Sequence, residues 1–408
     1  MNKNSFFKNF SWTFIGSLVY AFSQWLLIIT LAKLSSPDIV GQYSLALAIT
    51  APVVLFSNMQ LSNILATDSR DEYSFSEYIS TRIILLSISL IVIVCIVIFG
   101  TYNPSLSIVI VLVGLSKVVE SLSELTHGYF QKVERMDYAG KSQIIKGITS
   151  VSIFILTFYF TNSLILSVVG MIGAWFLRLI YYDLRKVKLF TDVKVTINNS
   201  FKLITLFALP LGLVSILNSL NTNIPRYFLE YHFDLNELGY FSAIAYILVA
   251  GNLLIRPLSL VAAPKLAQNY QKNKKREFVI LNIKLFLAAA ILGFVAITIV
   301  YYFGEFILTF IYSIEYAKYN NIFLLIMIGS ILSYFTTFLN VAIVAAREFK
   351  KQPYINLITM IAALLSSIYL IPINGIEGAA YVTIIVFLTQ FLGSLSLFIY
   401  SVFQMKEV

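Results

Sequence analysis

The run SISLIVIVCIVIFG, residues 87–100, holds no charge and closes the apolar stretch 81–100. Such a run cannot sit on the surface of a water-soluble domain. The stretch 81–100 matches the roughly 20 residues a helix needs to cross a hydrocarbon core about 30 Å thick. Eleven further stretches share the property, at 10–33, 39–65, 105–129, 144–161, 163–183, 203–229, 238–263, 280–303, 321–345, 355–373 and 376–402. None alternates with the period of two that a membrane barrel requires. Composition agrees: 59% of residues are hydrophobic and only 12% charged, against roughly 25% charged in soluble domains. The expected fold class is an all-α polytopic membrane protein of twelve transmembrane helices, with room for a short interfacial helix within 304–320.

The charges then orient the spans. With both termini in the cytoplasm, the loops near 66–80, 130–146, 184–202, 265–284 and 346–353 are cytoplasmic. Together with the termini they hold most of the 29 lysines and arginines, RKVKLFTDVKV and KNKKREF among them. The opposite loops hold Lys33 and Lys318. This is the positive-inside bias, and a missed span would scramble it. The +9 net charge therefore reports topology and attraction to anionic lipid, and needs no nucleic acid. The N-terminus MNKNSFFKNFSW has no small-residue cleavage site, so the first apolar stretch is expected to stay as a span. The single cysteine, Cys95, is expected to be a packed thiol.

The chain also repeats itself. Residues 39–49, IVGQYSLALAI, return as ELGYFSAIAYI at 237–247, with Gly41 matching Gly239 and Ser44 matching Ser242. Both copies open the second span of a six-span half. Asp38 and Asn236 are expected as N-caps, and each glycine should admit a close neighbour. A fainter echo joins LVGLSKVV to MIGSILSY. An even number of spans per half makes the halves parallel, related by a pseudo-two-fold axis along the membrane normal. The expected organisation is an N-terminal six-helix lobe at 1–183, a basic cytoplasmic linker at 184–202 and a C-terminal six-helix lobe at 203–408.

Catalytic signatures are missing. External loops are short, and there is neither a Walker A pattern nor an HExxH or paired-cysteine metal site. The expectation is a transporter rather than an enzyme, without metal or cofactor. Polar residues inside the spans then mark its pathway. SKVVESLSELTHGYF puts Lys117, Glu120, Glu124 and His127 on one helix face. Lys117 and Glu120 either form a packing pair, or Lys117 meets an anionic substrate while Glu120 or Glu124 carries a coupling proton. His127, near the span's end, is read as structural. In the seventh span Ser215, Asn218 or Ser219, Thr222 and Arg226 form a polar stripe, and Pro210 and Pro225 point to kinks. In the eighth, Asn252 and Arg256 stand one turn apart, and Arg256 matches Asn58 of the second span at the repeat offset. Arg178 is read as a snorkelling anchor. Lys117, Arg226 and Arg256, with Asn58, Asn218 and Asn252, would suit an anionic headgroup, since guanidinium grips phosphate oxygens in pairs.

LAKLSSPDIVGQYSLALAI, QLSNILATDSRDEYSFSEYISTRIILL, NIPRYFLEYHFDLNELGYFSAIAYIL and EFILTFIYSIEYAKYNNIFLLIMIGS resemble stretches of bacterial Wzx-type polysaccharide flippases. These belong to the superfamily that also holds the MATE drug exporters. The resemblance implies two six-helix lobes around a hydrophilic, cationic cavity. The implied cargo is an undecaprenyl-diphosphate-linked oligosaccharide, an O-antigen or related surface polysaccharide unit, moved outward across the bacterial inner membrane. It also implies membrane lipid, a polysaccharide polymerase and a chain-length regulator as partners. Two alternatives stay open: a MATE-like, cation-coupled exporter of small amphipathic compounds, and a non-transporting membrane polymerase or scaffold.

Overall fold

In the computed structural model the described residues are 3–68, 70–195 and 199–405, and the side chains of 3–8, 10, 249, 250, 252–254, 256, 257, 260 and 349 are outside the description. Among the described residues fourteen α-helices run in chain order: α1 (Lys3–Leu34), α2 (Pro37–Asn58), α3 (Leu61–Thr67), α4 (Phe75–Phe99), α5 (Pro104–Lys132), α6 (Met136–Thr161), α7 (Leu164–Arg178), α8 (Arg185–Val187), α9 (Ser200–His232), α10 (Leu235–Gln271), α11 (Lys275–Ile311), α12 (Ile314–Ala317), α13 (Asn320–Ala345) and α14 (Gln352–Gln404). Among the described residues no strand occurs, and ten helical stretches are long and apolar enough to cross a membrane.

Two features complete the count of crossings. α10 is continuous over 37 residues, enough for a further pass. α14 spans 53 residues, about 80 Å at 1.5 Å per residue, more than twice a bilayer core. It breaks at Gly375, whose φ of 56° and ψ of −131° lie outside helical values. Glycine tolerates that conformation, and Pro372 nearby removes one helical N–H. The break falls between the predicted spans 355–373 and 376–402. The short helix expected within 304–320 is α12.

The helix starts follow from local chemistry. Ser74 and Glu77 form a reciprocal capping box at α4, with Glu77 N–H donating to Ser74 Oγ at 3.3 Å and Ser74 N–H to Glu77 Oε2 at 2.8 Å. Asn103 accepts from Leu106 N–H at 2.8 Å, with Pro104 opening α5. Asp234 caps α10 by accepting from Glu237 N–H at 2.9 Å. This corrects the expectation for Asn236, which lies inside the first turn, as does Asp38 in α2.

A second correction concerns span 39–65. Met59 and Gln60 adopt φ of 45° and 51°, so the helix stops at Asn58 and restarts at Leu61. A left-handed pair cannot continue a right-handed helix. Cys95 is also exposed rather than packed; it lies on the apolar surface of α4 beside Ile91 and Ile98.

The chain divides into two compact units, residues 1–35 with 42–219, and residues 36–41 with 220–408. In the first, α6 packs against α1 and α7, and α5 against α3, α4 and α7. Its core includes Leu61, Leu65, Phe75, Tyr78, Leu125 and Phe130. In the second, α13 packs on α10, α11 and α14, with Leu266, Phe278, Leu339, Ile343 and Phe398 in its core. The two echoed glycines meet inside this second unit. A Cβ at Gly41 would stand 1.9 Å from Leu235 O, and one at Gly239 would stand 2.0 Å from Pro37 O. Each copy of the repeat thus lays its glycine on the other's helix start, a backbone-to-backbone approach that any side chain forbids.

Candidate functional site

Each unit contains its own polar cavity. In the first unit a cavity of about 340 Å³ is bordered by Lys117, Glu120, Glu124 and His127 of α5, by Asn58 of α2 and by Lys146 of α6. The one-face spacing read from the sequence thus turns four polar side chains inward together. Lys117 Nζ stands 2.8 Å from Glu120 Oε2. Lys146 pairs with the other oxygen, Glu120 Oε1, and the Tyr20 hydroxyl donates to the same atom. The Lys146 ammonium also lies 3.8 Å from the centroid of the Tyr20 ring and 4.5 Å from that of Trp175. Aromatic faces solvate an ammonium in place of water. Glu120 is therefore committed to two cations and a phenol.

Glu124 is less committed. It is exposed and accepts one long hydrogen bond, from Asn58 Nδ2 at 3.4 Å. Asn58 in turn accepts from Arg82 Nη1. Arg82 is 0% exposed. Asn58 thus relays between a buried guanidinium and a cavity carboxylate, and the break after α2 ends the helix at this residue.

A second network lies beside the first. Arg178 is buried; its Nη1 donates to Ser142 Oγ at 2.7 Å, and its Nη2 stands 3.5 Å from Asp183 Oδ2. Asp183, 0% exposed, also accepts from Ser123 Oγ at 2.5 Å. His127 Nε2 lies 3.0 Å from Ser142 Oγ. Arg178 is therefore no snorkelling anchor, because its charge is answered within the unit. A π-helical turn over Leu179–Leu184 adds a residue to the helical repeat, and Asp183 sits within it.

In the second unit a cavity of about 360 Å³ is bordered by Asn221, Thr222, Pro225 and Arg226 of α9, Ser330 and Tyr334 of α13, and Gln390 of α14. Arg226 is its one lining charge among the described residues. Its Nη1 donates to Asn223 Oδ1 at 2.7 Å, while Nε is buried without a hydrogen-bond partner. Asn218 is exposed and does not border this cavity; Asn221, three residues on, takes the inward place. Asn252 and Arg256 belong to α10, and their side chains lie outside the described residues.

Sequence reading missed Arg82, Lys146, Tyr20, Asp183 and Asn221. Arg82 and Lys146 stand at the ends of predicted spans, where a basic residue reads as loop charge. Tyr20 gives no signal in an aromatic-rich chain. Asn221 lay in plain view in LNSLNTNIPRYF, one helical position off the stripe chosen.

Solved structures share the fold. An inward-facing MATE-family multidrug transporter of the MOP superfamily superposes with a TM-score of 0.76 at 12% identity, over 95% of this chain and 94% of that one. The lipid II flippase MurJ in an inward closed conformation gives 0.76 at 13% identity, over 96% and 90%. The molecule is a multi-pass membrane protein with the fold that these two structures share. Sequence carries the assignment further: the profile of the family described as "Polysaccharide biosynthesis protein" matches residues 6–270. The capsular polysaccharide biosynthesis protein CapF of Staphylococcus aureus is 32% identical over 376 residues, 91% of this chain and 94% of CapF. The chain belongs to the polysaccharide biosynthesis protein family.

Proposed function

We propose that the protein moves an undecaprenyl-diphosphate-linked oligosaccharide unit from the cytoplasmic to the outer leaflet of the bacterial inner membrane, by exposing the headgroup alternately to either side. It acts as a transporter and not as an enzyme. Both termini face the cytoplasm, and the working lobes are 1–183 and 203–408, joined by the basic segment 184–202. The polysaccharide unit then passes to a polymerase and a chain-length regulator. The family assignment and the relation to CapF support the saccharide cargo; the basic loops support the orientation.

One observation separates this reading from export of small cations. A cation exporter needs available carboxylates in its cavities, and here Glu124 is the one lining carboxylate left open among the described residues. Glu120 has two lysines and a tyrosine, and the second unit's cavity has Arg226 with no lining carboxylate among the described residues. Lys117 and Arg226, with Arg256, Asn58, Asn218 and Asn252, meet the polar headgroup in this reading. Charge-assisted hydrogen bonds replace the hydration that a diphosphate loses. Ion coupling rests on Glu124 rather than Glu120, because a proton on Glu120 would leave two ammonium groups without their anion.

Deletion in the native bacterium tests the reading. Surface polymer should disappear while complete diphosphate-linked units collect on the cytoplasmic leaflet. Intact polymer in a strain without a second flippase, together with new sensitivity to cationic compounds, would return the protein to the exporters. In a complemented strain, Glu124→Gln should remove the dependence of transport on the proton gradient at normal protein abundance.

A further inference from the structure

We infer that the open groove between α10, α13 and the start of α14 binds the headgroup of an anionic phospholipid, with Arg347 as the cation that meets its phosphate. Such a lipid is a resident of the membrane, distinct from the transported cargo, so the site stands apart from the transport reading above.

The groove lies wholly within the second unit and holds about 680 Å³, bordered by Ala263 and Ala267 of α10, Asn340 and Val344 of α13, and Arg347 and Gln352. All of its lining residues are at least partly exposed, so it is open to a ligand rather than sealed in the core. Its polar edge offers donors. Asn340 Oδ1 accepts from Ser394 Oγ at 3.1 Å and from Gln352 Nε2 at 3.4 Å. Both lone pairs of that oxygen are thereby used, and the Nδ2 end of the amide is left to give. Arg347 is exposed and forms no ion pair among the described residues, while Glu348 beside it is taken by Lys351 at 3.1 Å. No carboxylate borders the groove among the described residues.

A guanidinium and an amide N–H₂, with no carboxylate near, select an anion, and guanidinium binds phosphate oxygens in pairs. The remaining walls select hydrocarbon. Val344 and Val341 lie about one and two turns before Arg347 on α13, and Ala263 and Ala267 face the groove from α10. A soluble anion would leave this apolar surface against water, whereas a lipid covers it with the first methylenes of its chains. The level agrees. Arg347 stands just past the last turn of an apolar span, with Lys350 and Lys351 following, where headgroups lie and where basic residues attract anionic lipid. A volume of this size falls within the range of ligand sites. A zwitterionic lipid fits less well, because the groove has no anion to meet its ammonium.

The test uses the whole protein in detergent micelles, with dioleoyl phosphatidylglycerol and dioleoyl phosphatidylcholine as probes and native mass spectrometry counting the lipid retained. Wild type should hold one phosphatidylglycerol about fivefold more tightly than phosphatidylcholine, the discrimination expected of one exposed charge at close range. Arg347→Gly should bring the two lipids level. Arg347 has φ of 61° at the end of α13, a left-handed position that glycine takes without strain. The unfolding midpoint of Arg347→Gly without added lipid should therefore not fall. Asn340→Asp keeps an acceptor for Ser394 and Gln352 but puts a negative charge in place of the donor, and it too should abolish the preference. Lys350→Gln, exposed and outside the groove, should leave the ratio at about five. Equal binding of both lipids by wild type, or a preference that Arg347→Gly leaves intact, overturns the inference. So does an equal loss in Lys350→Gln, which would mark general attraction by the basic loop. Displacement of the lipid by free glycerol phosphate at equal concentration would make the groove a site for a soluble anion instead. None of these readouts involves transport, so the cargo reading stands or falls separately, by the deletion described above.

Discussion

Replacing Gly239 by alanine tests the meeting of the two repeats. The added Cβ would stand 2.0 Å from Pro37 O, whereas real Cβ contacts essentially never fall below 3.0 Å, so the helix starts must part by about 1 Å. The opposing atom is backbone and cannot swing aside as a side chain can. Overpacking of this kind costs about 1–3 kcal/mol. Gly41→Ala should cost a similar amount, its Cβ standing 1.9 Å from Leu235 O. The decisive quantity is the double variant. Parting the same two helix starts relieves both clashes, so the combined loss should fall short of the sum by at least about 0.5 kcal/mol. Reversible unfolding in detergent micelles, followed by circular dichroism, supplies all four free energies. Single variants within about 0.5 kcal/mol of wild type, the range of ordinary surface substitutions, would refute the contact. Full additivity would show that the glycines act separately.

Three further predictions concern charge. Lys146→Met should destabilise the protein by about 1–3 kcal/mol, because Glu120 keeps Lys117 but loses a buried partner; adding Glu120→Gln should restore part of that loss in the same unfolding assay. Arg178→Met should cost about 3–5 kcal/mol by leaving Asp183 buried and unpaired, read as a lost unfolding transition or poor recovery of folded protein, and Arg178→Met with Asp183→Asn should recover much of it. Outside the spans, burial would raise the Asp68 carboxyl, but Glu72 N–H at 3.2 Å and Lys132 at 3.6 Å outweigh it and hold its pKa below the ordinary 3.8. A depressed carboxylate stabilises the fold above its unfolded pKa and stops doing so as pH falls through the folded one. The gap in melting temperature between wild type and Asp68→Asn should therefore be full at neutral pH and should close progressively below pH 4.

The helices were legible because the bilayer imposes one rule on every crossing: backbone polar groups must be satisfied within the segment, so an apolar run of sufficient length is a helix. That rule speaks of length and polarity, and says little of continuity. Span 39–65 satisfied it and still broke at Met59 and Gln60, since a left-handed pair leaves no trace in hydropathy. The break at Gly375 was visible for the opposite reason: a proline and a glycine within the six residues IPINGI punctuate the run openly. Asn236 reads as a cap because it matches Asp38 in the repeat, and the repeat governs helix faces more strictly than helix starts.

The site was legible only where its partners share a helix. Lys117, Glu120, Glu124 and His127 follow from spacing alone, because residues three and four apart on one helix lie on one face. Lys146 and Tyr20 complete the same ion cluster from α6 and α1, and Arg82 completes the Asn58 relay from α4; nothing in sequence spacing connects them. Depth misled as well. A basic residue within a turn of a span's end reads as a headgroup anchor, since a long side chain reaches water from there at little cost. That inference assumes the residue faces lipid. Arg82, Lys146 and Arg178 all sit near span ends, and all three turn inward to partners. In a bundle the inward face near a helix end is as dry as the middle, so it is the facing helix, and not the depth, that decides whether a charge is solvated or paired.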